Sequence, residues 1–332
     1  MQTKDLMISK NTSKTLKALD EKRNLLSATE TAKKLSHLYN SGCNAINYML
    51  VNKKCTIAYT GGGDHQVRLW DIDNYCLLTV LHGLTDAVYS LALSNDEDLL
   101  AAGSSRGDIK IWDIKKNRCI HTLKYGLKAI NALLLLKESN TLVIGSEDGS
   151  VKFWNYESNE YTKELIAQEK AIECLTMSND KSRLYVGDRN NIIKCYDVNS
   201  KTEIKEFVGH EDYISSICLS NDEKYLFSAS EDATVRQWDV VNTGIIGIFN
   251  GHYEGIRSLS LSECETQLLT ASRDRTIKRW NVKDLKCLFT YGIGGWTVED
   301  LAYSKDGQFL FISSNRSVKK VRLQDYNIVQ QY

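Results

Sequence analysis

Histidine, serine and aspartate come together twice in this chain, as His210, Ser230 and Asp232 and as His252, Ser272 and Asp274. Each set is followed by a tryptophan, Trp238 or Trp280. A serine activated by a histidine that an acid orients is the constellation of nucleophilic hydrolysis. Hydrolases that expose such a serine often hold it in a GxSxG turn, and neither Ser230 nor Ser272 sits in one. Metal chemistry has less support. The six histidines, His37, His65, His82, His121, His210 and His252, lack HExxH or HxxxH spacing. Nine cysteines are scattered without a CxxC pair, and Cys76, Cys119 and Cys287 fall at nearly one phase of a repeat, which spreads them over different units. Gly61-Gly62-Gly63 is not followed by GK[ST] and reads as a hairpin rather than a phosphate cradle. No catalytic residue, metal or cofactor is expected.

The elements that must carry these residues follow a period of 42. From Trp70-Asp71, steps of 42 reach Trp112-Asp113, Trp154-Asn155, Tyr196-Asp197, Trp238-Asp239, Trp280-Asn281 and Arg322-Leu323. A second column, Ile46, Val88, Ile130, Ile172, Ile214, Ile256 and Val298, is β-branched throughout. Apolar columns with polar interleaving fit short, buried strands. In the second copy, strands are expected at Val88–Leu93, Leu99–Gly103, Ile109–Trp112 and Cys119–Leu123, separated by polar turns such as Ser94-Asn95-Asp96. Two residues before each position of the first column comes a basic one: Arg68, Lys110, Lys152, Lys194, Arg236, Lys278 or Lys320. That column resembles a nucleic-acid stripe, but one face of a period-2 strand repeated by the fold gives the same pattern.

Composition narrows the function classes. Basic and acidic side chains balance at 42 each, so the chain lacks the global field of a dedicated nucleic-acid or acidic-membrane binder. No apolar run approaches the roughly 20 residues of a membrane span. Proline is absent, which removes PxxP segments and proline-rich linkers. The expected setting is the cytoplasm or nucleus, without secretion.

Four short strands every 42 residues match the blade length of a β-propeller. The chain resembles the WD-repeat family in its Trp-Asp pairs, in Gly209-His210 and Gly251-His252, and in Gly145-Ser146 at a strand end. The resemblance covers about residues 43–332 and implies an all-β fold, a seven-bladed propeller of four-stranded antiparallel blades. The fourth and seventh copies depart from the pattern, with Tyr196, Asp188 and Asn190 in one and Arg322 and Arg316 in the other. The resemblance also implies that His210, Ser230, Asp232 and Trp238, and likewise His252, Ser272, Asp274 and Trp280, form buried structural hydrogen-bond chains.

Function then rests on surfaces. Carried through the repeat, the family's top-face positions give an inner ring of Asn47, Tyr89, Asn131, Glu173, Ser215, Arg257 and Glu299. A second ring is Gly63, Ser105, Glu147, Arg189, Glu231, Arg273 and Asn315, with Tyr213 and Trp296 as neighbouring aromatics. Arg257 and Arg273 share a blade without an acid among its ring positions, which points to an acidic or aromatic ligand there. Residues 1–42 form a separate extension, with helices expected at about 13–26 and 28–39. Both Leu35–Tyr39 and Ile328–Tyr332 are in register for the outermost strand of blade seven, and β-branched composition favours the second. The leading expectation is a non-enzymatic scaffold, a subunit that binds proteins or peptides of unknown identity. A ribosome- or RNA-associated propeller and a G-protein β-like subunit are the alternatives.

Overall fold

The structure, a computed structural model, describes residues 46–331 apart from 75, 127, 167–169, 294–296, 305–307, 315–316 and 324–327. The expected N-terminal helices, Trp296 and Asn315 lie outside the described residues.

Seven four-stranded antiparallel sheets follow one another along the chain, and each is built from four consecutive strands, a to d. Their a strands are Ile46–Val51, Val88–Leu93, Ile130–Leu136, Ile172–Met177, Ile214–Leu219, Ile256–Leu261 and Val298–Tyr303. In blade two the remaining strands are Leu99–Ser104, Asp108–Asp113 and Arg118–Lys124, which extend the sequence-based boundaries by one residue at one or both ends of each strand. Blade seven is completed by Ile328–Gln331, paired with Ser317–Arg322, so the C-terminal segment fills the outermost place.

The period of 42 is a packing period. The β-branched residue opening each a strand is buried, from Val88 to Val298, against the preceding blade. The partner position at the end of strand b is therefore small. A β-carbon on Gly103 would come within 2.5 Å of the Ile130 side chain, and Gly61, Gly145 and Gly187 face Val88, Ile172 and Ile214 in the same way. Blades five and six use Ala229 and Ala271 there, both fully buried.

Hydrogen bonds link neighbouring a strands around the channel. Asn47 donates to Val88 O (3.0 Å), Ser90 to Ile130 O (2.7 Å), Asn131 to Ile172 O (2.9 Å) and Ser215 to Ile256 O (2.5 Å). The Cys174 thiol faces Ile214 O at 3.9 Å. Blade seven closes the belt with a carboxylate: Asp300 accepts from Ser258 Oγ of blade six (2.6 Å) and from Met49 N of blade one (3.1 Å). Burial pushes the Asp300 carboxyl up to about 6, against the pull of those donors. At the opposite face, turn-to-turn bonds such as Lys181 to Glu138 (2.7 Å) and Asn179 N to Glu223 (2.5 Å) tie blades together a second time.

Candidate partner-binding face

Strands b and c of blade five, Tyr225–Ser230 and Val235–Asp239, place the first His-Ser-Asp-Trp set. His210 Nδ1 meets Asp232 Oδ2 at 2.7 Å, and its Nε2 meets Ser228 Oγ at 2.8 Å. Trp238 Nε1 donates to the same Ser228 Oγ at 2.8 Å. In blade six the chain runs Asp274, His252, Thr270 and Trp280, with distances of 2.7, 2.7 and 2.9 Å. The expected serines, Ser230 and Ser272, are not its members. They accept from the backbone N–H groups of Asp232 and Asp274 and donate to Asp212 O and Glu254 O, which shapes the b–c turn. The physical reason lies in strand geometry: residues 228 and 230 share one face, and only the inner one reaches the indole. Both imidazoles are fully buried with both nitrogens engaged, and none of Ser228, Ser230, Thr270 and Ser272 is among the residues lining the central cavity.

Electrostatics agree with a structural role. Burial acts to raise the Asp232 carboxyl, but bonds from His210, Thr234 Oγ1 and Glu211 N outweigh it and hold the group well below the carboxylate range. Burial lowers the His252 imidazole more than Asp274 raises it, which favours the neutral ring.

The channel mouth is built differently. In every blade the a–b ladder skips one residue, and the skipped residues are Asn47, Tyr89, Asn131, Glu173, Ser215, Arg257 and Glu299. A bulge re-aims the side chain of the extra residue, and all seven line a central cavity of about 830 Å³ that continues to Asn95 and Lys181 at the other face. Bulges carry no residue-type signature, so the ring was placed in the sequence only by carrying the family's top-face positions through the period.

The profile described as WD domain, G-beta repeat matches residues 75–113, 117–155, 201–239 and 244–281. The chain is a WD-repeat β-propeller. The matched stretches are strand d of one blade with strands a to c of the next, ending at Asp113, Asn155, Asp239 and Asn281. Strands a to c of blades one, four and seven fall outside the matched stretches, and the last two of these are the copies whose motif residues depart from the pattern. No curated protein matches the chain.

Within this WD-repeat ring the charged positions pair in ways the repeat did not reveal. Arg189 Nε meets Glu173 Oε1 at 2.5 Å on blade four, and the guanidinium stands over the Tyr213 ring at 5.6 Å. Burial raises Glu173 and Arg189 opposes it. Arg257 and Arg273 do have an acid, supplied by the neighbouring blade: Glu231 Oε1 lies 3.6 Å from Arg257 Nη1 and 3.2 Å from Arg273 Nη2. Arg273 also donates to Tyr213 Oη at 3.2 Å. Asn47, Asn131 and Ser215, expected to face outwards, instead spend a donor on the next blade's backbone. Ser105 donates to Asp86, while Glu147 reaches back to Ala129 N at 3.4 Å. Trp296 and Asn315 lie outside the described residues.

The basic column on strand c is met inside its own blades. Arg68 pairs with Asp64 (2.5 Å), Lys194 with Glu203 (2.9 Å) and Lys152 with Glu164 (3.3 Å). Lys110 and Lys278 donate to Thr122 and Thr290 (2.9 Å each). Lys320 stands over the Phe309 ring at 4.5 Å. These propeller blades hold their cations against strand d, strand b or the adjoining turn rather than offering them as a continuous stripe.

Proposed function

We propose that the chain is a non-enzymatic interaction scaffold, a subunit of a larger intracellular assembly, working in the cytoplasm, whose protein partners seat on the channel mouth. WD-repeat propellers are in general scaffolds for protein interaction. The observation that carries the reading is a contrast of exposure. The residues that resemble a reaction centre are buried and mutually bonded, whereas the bulged ring offers solvent-facing arginine and tyrosine, including Tyr89 at 43% exposure. Aromatic and arginine side chains are the usual anchors of interfaces.

The test is affinity capture of the tagged full chain with mass spectrometry. Proteins recovered with the wild type should be lost from Tyr89→Glu, at the mouth, and retained by Lys181→Glu, at the opposite face. Equal recovery by both variants, or loss only from Lys181→Glu, would place the interface elsewhere. Hydrolase activity that vanished in a folded His210→Gln variant would overturn the scaffold reading.

A further inference from the structure

Three guanidinium groups converge at blades four to six. Arg189 stacks over Tyr213, Arg273 donates to the Tyr213 hydroxyl, and Arg257 and Arg273 flank one carboxylate, Glu231. Cations and anions are layered by depth. The arginine side chains are 50%, 40% and 35% exposed for Arg189, Arg273 and Arg257, while Glu231 and Glu173 beneath them are 7% and 16% exposed. Gly255 makes the burial of Glu231 possible, because a β-carbon there would collide with its carboxylate.

Two anions beneath three outward cations leave one positive charge without an ion-pair partner at this corner, since among the described residues Glu147 and Glu299 of the rings form no ion pair with these arginines. Donors are in larger surplus. Each guanidinium carries five N–H groups in a planar fork, and the bonds described use few of them: Arg189 Nε to Glu173, Arg273 Nη2 to Tyr213, and for Arg257 only the 3.6 Å approach to Glu231. Glu231 Oε1 is itself buried without a hydrogen bond among the described residues, so it positions the two arginines by charge and leaves their forks open. Glu211, Asp212 and Glu254 on the flanking loops are exposed, and among the described residues none forms an ion pair with these arginines.

We propose that Arg189, Arg257 and Arg273 with Tyr213 form an oxyanion-accepting subsite that takes a carboxylate side chain from an acidic segment of the partner. The inference rests on the channel-mouth reading above and names the partner's chemistry. A single carboxylate balances the one uncompensated charge and fits the guanidinium fork in bidentate fashion; a dianionic phosphate would exceed it. Tyr213 supplies the flat wall against which the segment lies.

The test measures binding of the full chain to a capped, fluorescein-labelled decapeptide of glycine and serine carrying two glutamates, with glutamine, lysine or phosphoserine substituted for them. The glutamate peptide should bind at least tenfold more tightly than the glutamine or lysine peptides and no more weakly than the phosphoserine one. Arg257→Gln/Arg273→Gln should weaken it about tenfold. Because that pair strands Glu231 without a counter-ion, the neutral triple with Glu231→Gln is the second variant, expected to melt like the wild type and to show the same loss. Equal binding of all four peptides, a tenfold preference for phosphoserine, or unchanged affinity in the triple variant overturns the proposal. If the triple variant also captures the cellular partners normally while Tyr89→Glu does not, the mouth remains the interface and only the acidic subsite fails.

Discussion

Blades three and five bury the same tryptophan at the same place and give its indole N–H opposite fates. Trp238 donates to Ser228, which joins His210 and Asp232. Trp154 is equally buried, yet among the described residues its Nε1 has no hydrogen-bond partner, because Ile144 occupies the position of Ser228 and Gly126 that of His210. The b–c turns below them differ in step. Blade three has Gly149 at φ 82°, whereas blade five has Ala233 at φ 66° and blade six Arg275 at φ 65°. A left-handed residue other than glycine is strained by roughly 1–2 kcal/mol. Among blades three, five and six a turn of this shape is kept in two ways: by a glycine that adopts it freely, or by a histidine-anchored chain of buried bonds that holds a residue with a β-carbon in it. His65 of blade one and Asn191 of blade four adopt it too, at φ 67° and 69°. The tryptophan serves both as bulk, and in blade three it packs edge-on against His121 and Tyr156 at 6.3 and 6.4 Å.

The most damaging way to break this contrast is to delete the hydroxyl that joins indole to imidazole. Ser228→Ala, or the near-isosteric Thr270→Val, should cost about 2–4 kcal/mol in urea unfolding, because two buried groups lose their partner at once. Ser230→Ala should cost about 1 kcal/mol, since only turn bonds are lost. Equal costs at 228 and 230 would mean that the chain runs through the serine expected from the sequence.

A smaller effect separates the blades by pH. The His252 ring is lowered by burial and the Asp232 and Asp274 carboxyls are lowered by their bonds despite burial. In each case the unfolded chain binds the proton more readily, so stability is full at neutral pH. It declines as pH falls below about 6.5 for the histidine and below about 3.9 for the acids. Asp300 has the opposite sign: its raised carboxyl favours the folded state below about 3.9, an advantage lost as pH rises through about 6. Melting curves of His252→Gln should flatten the acid limb below about pH 6.5, and those of Asp300→Asn should remove the decline between about 4 and 6. Parallel profiles for wild type and both variants would deny these groups their part.

The mildest change sharpens the comparison from the other side. Ala233→Gly should stabilise by about 1 kcal/mol by relieving the left-handed residue, and Gly149→Ala should cost at least as much, since the Asp148 turn of blade three is bonded through Ser150 to Tyr125 but not to a buried histidine and tryptophan. If both substitutions are neutral, the turn is not the site of strain.

Much of this was readable from residue order. The column from Ile46 to Val298 revealed the blade period because a β-branched side chain must fill the space left by a glycine or alanine of the preceding blade. All seven inner-ring positions line the channel because a bulge recurs with that period. What stayed hidden depends on depth or on contacts between blades. Ser228 and Ser230 are both small hydroxyls on one strand face, and only three-dimensional distance distinguishes them. Glu231 was visible as a charge but not as the partner of Arg257 and Arg273, because that pairing crosses from one repeat to the next. Likewise Asn47, Asn131 and Ser215 look like surface residues until the neighbouring carbonyl is placed beside them.

Every blade takes its four strands from one uninterrupted stretch of chain, and ladder partners stay near in sequence, as Ile46 with Gly62 or Asp108 with Lys124. Low sequence separation favours rapid pairing, so each sheet can form soon after its own residues leave the ribosome, before the next is made. Synthesis at about 5–20 residues per second would then deliver blades one at a time in order. Docking of the seventh onto the first, through Asp300 and Met49, becomes the single late step that turns an open arc into a circle.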